Sequence, residues 1–319
     1  MKPLMSYLPK DFSYDFIRAR SIAFLFSATL IIGSIVSLAT QGLNFGIDFA
    51  GGVLLEARAP APVDLAPLRE KLNNLGVGDV SITTFGNEGR DVMIRVQQQE
   101  GGETAQTAAL KKVQGVLADG FEMRRTEVVG PKVGSELVIN GALAIALALL
   151  GIAIYVWFRF EWQFALGALL SLTHDVISII GIFSIFQIQF DLTSVAAVLT
   201  IAGASVNDTV VVYDRVREML RKYKRLSLPD LLNLSLNKVL SRTLMTNVTM
   251  GLGVLALVFI GGPTLQNFSL ALLWGVFIGS YSTVYIALPI LVYFELRRED
   301  LTITQPGVTQ APEYERTGG

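Results

Sequence analysis

Residues Leu192–Glu218 read LTSVAAVLTIAGASVNDTVVVYDRVRE. Positions 192–212 form an apolar run long enough to cross a bilayer, which takes about 18–20 residues. Asp208 lies inside that run, about two turns from its charged end. A charge at the bilayer centre costs about 2.5–3.5 kcal/mol on insertion scales, so an intramembrane carboxylate points to an ion or proton pathway. The alternative is a buried structural carboxylate. Asp208 shares a helical face with Ile201, Ala204, Ser205, Val211 and Val212. By contrast, Asp214-Arg215-Val216-Arg217-Glu218 reads as a solvated helix end at the water interface.

Working outward, five further runs reach spanning length, giving 21–39, 138–158, 163–186, 192–212, 243–260 and 268–293 in all. The chain is 51% hydrophobic, with a mean hydropathy of +0.50. Both are too apolar for an ordinary soluble protein of this length. The first run follows Lys2, Lys10, Arg18 and Arg20 like a signal peptide, but it exceeds the usual 7–15-residue signal core and reads as a retained helix. Lys and Arg concentrate in segment 1–20, at Arg159, in segment 213–242, and at Arg297 and Arg298 in the 294–319 tail. The positive-inside rule makes that side cytoplasmic, together with both termini. Segment 40–137 is then the extracytoplasmic domain. The tail, rich in Pro, Thr and Gly, is expected to be disordered. No cysteine is present, which removes disulfides and Cys-based metal or nucleophile chemistry, and no metal site is read. A net charge of -1 carries no nucleic-acid signature.

The extracytoplasmic segment alternates its periodicity. Strand patterns at Val53–Ala59, Val80–Phe85, Asp91–Val96 and Met123–Val129 are interleaved with helical spacing over Val63–Leu75 and Thr104–Leu117. Gly76 ends the first helix, and the turn Gly86-Asn87-Glu88-Gly89 joins the two middle strands. The order βαββαβ predicts a small ferredoxin-like α+β sandwich, with an unrelated α+β domain as the alternative. With no histidine or cysteine, it reads as a packing or polypeptide-binding domain.

The membrane runs carry further polar groups. His174, the only histidine, precedes Asp175 in the third run. Gly167, Ser171, His174, Ser178 and Gly181 share a stripe that should face other helices. Histidine is the side chain suited to proton transfer near neutral pH, so His174 is a relay candidate, while a satisfied packing contact with Asp175 is an equal reading. Arg242 opens the fifth run, with Thr246, Thr249 and Gly253 on its face. Topology sets it at a depth similar to Asp208, and a carboxylate facing a guanidinium can change protonation as the two approach or part. The alternative is an Arg that snorkels to the headgroups. In the sixth run Ala271, Gly275, Gly279, Thr283 and Ala287 recur every fourth residue, which favours close helix packing.

These residues together resemble a family. GLNFGIDFAGG (Gly42–Gly52), with Asp48, Gly51 and Gly52 as its signature, is similar to the segment after the first helix of SecD/SecF export proteins. RFEW (Arg159–Trp162), HD at 174–175, SVNDTVVVYDRVRE (Ser205–Glu218), SRTLMT (Ser241–Thr246) and FIGGPTLQNFSLALLWG (Phe259–Gly275) match the SecF branch in order and spacing. The resemblance implies a polytopic α-helical fold of the resistance–nodulation–division (RND) superfamily, with six transmembrane helices and the ferredoxin-like domain in the periplasm. It implies residence in the bacterial inner membrane, contact with membrane lipids, and a SecD partner with an equivalent half. It further implies association with SecYEG, SecA and YajC in the assembled translocase, and action on preproteins. No cofactor is implied beyond protons as the coupling ion, and no enzyme activity. The family's proton path maps onto Asp208 and Arg242, with Asn207, His174 and Asp175 as weaker members.

Three rivals compete with this reading. An RND-type small-molecule or lipid exporter usually carries two membrane halves in one chain and larger external domains. An intramembrane aspartyl protease would pair Asp175 with Asp208, but neither carboxylate lies in a Gly-x-Gly-Asp sequence. A pure scaffold would make Asp208 and Arg242 matter only through stability.

Overall fold

Asp191 starts the long helix that carries Asp208. Its Oδ1 accepts from the Ser194 N–H at 2.8 Å, and Ser194 returns the bond to complete a capping box. The computed structural model describes residues 14–294 other than 87 and 119. The expected N-terminal residues 1–13 and most of the tail, 295–319, lie outside them. The helix-rich part comprises α1 (Arg20–Thr40), α5 (Pro131–Arg159), α6 (Trp162–Ile185), α7 (Leu192–Lys222), α8 (Leu228–Ile260) and α9 (Gly262–Ser282). A π-helical turn, Thr283–Ala287, leads from α9 into α10 (Leu288–Tyr293). Pro289 has no N–H to give the preceding turn, which accounts for the local widening. Six helices among the described residues are long and apolar enough to cross a membrane. Leu25, Phe158, Phe259 and Ile260 are largely exposed on their outer faces. Such a surface suits lipid and not water.

Two boundaries differ most from the sequence reading. Segment 213–242 is helical almost throughout, because α7 continues to Lys222 and α8 begins at Leu228. Pro229 in the first turn and the Ser227 cap start α8 there. Arg242 is therefore inside α8 and not at its head. Hydropathy misplaces these ends because both extensions are amphipathic and charged.

The soluble domain contains β2 (Gly52–Arg58), α3 (Leu65–Asn73), β3 (Val80–Phe85), β4 (Asp91–Val96), α4 (Gly102–Leu117) and β5 (Glu122–Val129). The sheet order is β3-β4-β2-β5, antiparallel throughout. With two helices over the sheet, this is the ferredoxin-like arrangement expected from the βαββαβ order. Val53, Leu55, Ile82 and Ile94 from the sheet meet Leu68 and Leu72 of α3 and Val113 and Leu117 of α4 in one core. Glycine is required where β2 begins. Gly52 has φ 133°, and a Cβ there would lie 2.5 Å from the Val96 carbonyl oxygen. Gly52→Ala is expected to destabilise this domain by about 1–3 kcal/mol. Faster proteolysis between β2 and β5 in the full-length protein would report it, and an unchanged cleavage rate would contradict it.

Three short elements missed by the sequence reading fasten the domain to the helices. β1 (Asn44–Phe45) pairs in parallel with β6 (Gln189–Phe190). The chain leaving α1 thus lies beside the chain entering α7. Between β1 and β2, α2 (Ile47–Ala50) sets Phe49 against Phe190, with ring centroids 5.9 Å apart.

Candidate functional site within the membrane helices

Asp175 of α6 is fully buried. Its Oδ2 accepts from Ser205 Oγ of α7 at 2.6 Å and from Ser282 Oγ of α9 at 2.7 Å. Its Oδ1 lies 3.0 Å from His174 Nδ1. One carboxylate thus joins three helices. The His174 ring lies 6.1 Å from that of Tyr281, and its Nε2 is buried with no hydrogen-bond partner among the described residues. Tyr281 donates to the Ala23 carbonyl of α1 at 2.7 Å. The polar stripe of α6 is buried from Gly167 to Gly181. Ser178 accepts from Trp274 Nε1 at 2.9 Å, and Gly181 abuts Ser34 of α1.

The small-residue stripe of α9 explains how Ser282 reaches Asp175. Gly275 lies against Ile201 so closely that a Cβ would collide with that side chain. A Cβ on Gly279 would stand 3.3 Å from Ser205 Cβ. Thr283 and Thr209 share a hydrogen bond of 3.0 Å. Beyond them, Tyr213 Oη donates to the Ala287 carbonyl at 2.7 Å. Ala271, the first member of the stripe, is buried as well. Positions 201, 205, 209 and 213 of α7 thus face positions 275, 279, 283 and 287, each set one helical turn apart.

Asp208 lies one turn beyond Ser205 and is half-buried. It lines a narrow crevice with Asn247, Met250, Gly275 and Gly279. Asn247 of α8 is within hydrogen-bonding reach of the carboxylate, and Arg242 is near enough to attract it. No ion pair joins Asp208 and Arg242 among the described residues, and Arg242 is exposed on the outer side of α8. Asn207 is exposed too. The structure therefore places Asn247, and not Arg242, beside Asp208. Asn247 was missed because the polar track of α8 was counted from Arg242 along one face. An amide inside a spanning run was the available signal. Among the described residues Asp175 and Asp208 share no hydrogen-bond partner, so the geometry offers no carboxylate dyad.

Around Asp208 the outer surface is small and polar. Ala196, Thr200, Gly203 and Asn207 of α7 are exposed, as are Arg242, Thr246, Thr249 and Gly253 of α8. Lipid tails give such groups no hydrogen bonds, whereas a second set of helices can pack on them.

The remaining predicted positions lie at the joint with the soluble domain. Asp48 Oδ2 accepts from the Leu192 N–H at 2.9 Å, beside the Asp191 cap of α7. Gly51, with φ 74°, turns the chain from α2 into β2. From β4, Arg95 donates to Gln189 of β6. Asp48, Arg95, Gln189 and Asp191 line a cavity of about 120 Å³. Burial pulls the Arg95 pKa below its ordinary value, while Asp191 and Asp48 oppose that shift. A guanidinium remains charged throughout the accessible pH range.

Comparison with known proteins places this geometry among export proteins. The C-terminal family of protein export membrane proteins SecD/SecF matches residues 109–297, and the SecD/SecF GG motif family matches residues 36–60. Protein translocase subunit SecF of Rickettsia felis is 40% identical over 298 residues, covering 91% of this chain and 95% of its own length. The Pseudomonas aeruginosa subunit of the same name is 43% identical over 287 residues, covering 90% and 93%. The crystal structure of SecDF, a translocon-associated membrane protein from Thermus thermophilus, superposes with a TM-score of 0.80 at 31% identity. It covers 91% of this chain and 40% of the SecDF chain. SecDF in a super-membrane-facing form gives a TM-score of 0.67 at 32% identity, again over 91% of this chain and 40% of that one.

Proposed function

The chain belongs to the SecD/SecF family of protein-export membrane proteins, and from that premise we propose that it couples proton movement to preprotein export as the SecF half of a SecD–SecF pair. It is a multi-pass protein of the bacterial inner membrane and an accessory subunit of Sec translocation. The proton-driven mechanism, the SecD partner and the orientation are the proposal. Both termini lie in the cytoplasm and the soluble domain in the periplasm. SecYEG, SecA and YajC are the wider assembly, and the preprotein is the substrate.

The observation that carries this reading is the position of Asp208. It is a half-buried carboxylate without an ion pair among the described residues, at the edge of an exposed small and polar helix face. On a monomer in lipid that face would be poorly solvated. Against a second half it becomes an interface, and Asp208 and Arg242 lie along it. Protonation of Asp208 weakens its attraction to Arg242 and lets the halves shift, which is a two-state element of the kind that couples distant domains. This chain superposes unequally on the two SecDF structures, one of them in a super-membrane-facing form.

The deciding measurement is preprotein export with and without an imposed proton gradient, with this chain as the sole subunit of its type. A rate indifferent to the gradient would end the proposal. The interface is testable separately, because the chain contains no cysteine. Single cysteines at Gly203 or Thr246 are expected to crosslink to SecD. Cysteines at Ile139 or Leu143, exposed on α5, are expected not to. Equal crosslinking from all four sites would refute the assigned face.

A further inference from the structure

We propose that the end of the bundle formed by Arg159 of α5 and Asp214–Lys222 of α7 holds the phosphate headgroup of an anionic phospholipid. A cavity of about 580 Å³ is lined there by Arg159, Asp214, Arg217, Glu218, Arg221 and Lys222. Each acid in and around it is already engaged. Asp214 accepts from Arg159 at 3.0 Å, Glu161 accepts from Arg217 at 3.1 Å, and Glu218 pairs with Arg215. The guanidiniums of Arg159 and Arg217 also lie over the Phe160 ring, 5.1 and 5.4 Å from its centroid. These contacts hold the inner wall in place. Two cations are left over. Arg221 has no acidic partner among the described residues, and Lys222 meets only the Tyr223 ring, at 5.6 Å. The cavity therefore carries two unneutralised positive charges.

Its depth matches the headgroup layer. From the Leu192 end of α7, Asp214 lies about 33 Å along the axis at 1.5 Å per residue, just past a hydrocarbon core of about 30 Å. Tyr155, Trp157, Trp162 and Tyr293 are all half-exposed near this end, as expected of an aromatic belt at the membrane surface. Trp162 packs against Phe294, ring centroids 5.8 Å apart. A basic pocket between helices at that level is the setting in which anionic headgroups bind. The occupant is thus a phospholipid from the surrounding bilayer, and the site holds whichever leaflet this end faces.

The test uses the full-length protein in phosphatidylcholine vesicles with trace spin-labelled phosphatidylglycerol or spin-labelled phosphatidylcholine. The wild type is expected to immobilise the anionic label at least about fivefold more than the zwitterionic one, the effect of one basic residue near a charged surface. Arg221→Gln with Lys222→Gln should bring the two labels level. Lys224→Gln with Arg225→Gln removes the same charge just outside the cavity and should leave the preference in place. Absence of a preference in the wild type would overturn the proposal, and so would equal losses in the two double variants. Displacement of the label by inorganic phosphate, but not by chloride of the same ionic strength, would also overturn it by assigning the cavity to free phosphate.

Discussion

Asp208→Asn is expected to abolish the acceleration of preprotein export by a proton gradient while leaving the protein folded and assembled. Asn keeps the shape of the side chain and its hydrogen-bonding reach to Asn247, but it cannot take up a proton. One charge crossing 100 mV releases about 2.3 kcal/mol, roughly a fiftyfold bias in any equilibrium coupled to it. Without a titrating group at Asp208 that bias has no route into the helices. The ratio of export rates with and without the gradient should fall to about one. Thermal stability should change by less than about 1 kcal/mol, because the position is half-exposed and makes no ion pair among the described residues. Export is to be compared at equal levels of assembled complex. A variant that keeps its gradient dependence would remove Asp208 from the mechanism. A variant that loses both export and assembly would favour the scaffold reading.

Asp175→Ala should produce the largest loss of stability in the membrane part. The carboxylate accepts from Ser205 and Ser282 and pairs with His174, with no access to water. Hydrogen bonds between helices in membranes average about 0.6 and reach about 1.7 kcal/mol each. Losing three gives about 2–5 kcal/mol, with the upper end favoured because the orphaned donors remain buried. Asp175→Asn retains an acceptor oxygen and should lose less than half as much. Unfolding of the full-length protein in mild detergent by a graded denaturant would measure both. An Ala variant as stable as the wild type would show that the junction of α6, α7 and α9 does not depend on this carboxylate. An Asn variant of near-normal stability that had lost its response to the gradient would instead move Asp175 into the proton path.

Local pattern was enough for some of this architecture. Val80–Phe85 and Asp91–Val96 have the same limits in sequence and structure, because both are rich in β-branched residues and glycines bound the turn. Helix ends outside the lipid were not legible, since the charged turns after Val212 and before Thr243 look like loop to any hydropathy reading. Asp208, Arg242 and the HD pair stood out because charge inside an apolar run is costly. Their partners did not. That Ser205 and Ser282 converge on Asp175 depends on the register between α7 and α9, and the sequence of one helix says nothing of its register against another. The α9 stripe showed only one side of that contact, and the facing Ile201, Ser205, Thr209 and Tyr213 carry no matching small-residue signal. The β1–β6 pair, two residues on each side, is too short to leave any period.

That small pair has a mechanical consequence. It holds the soluble domain at the cap of α7, where Asp48 bonds the first turn and Arg95 grips Gln189. The helix beyond the cap is a lever of 31 residues, about 46 Å at 1.5 Å per residue. With its fulcrum at Asp191, a tilt of about 5° carries Asp208 by about 2 Å and the Arg221–Lys222 end by about 4 Å. A displacement of that size is enough to make or break a hydrogen bond at Asp208. A swing of the domain and a change at the carboxylate would then be two ends of one stroke.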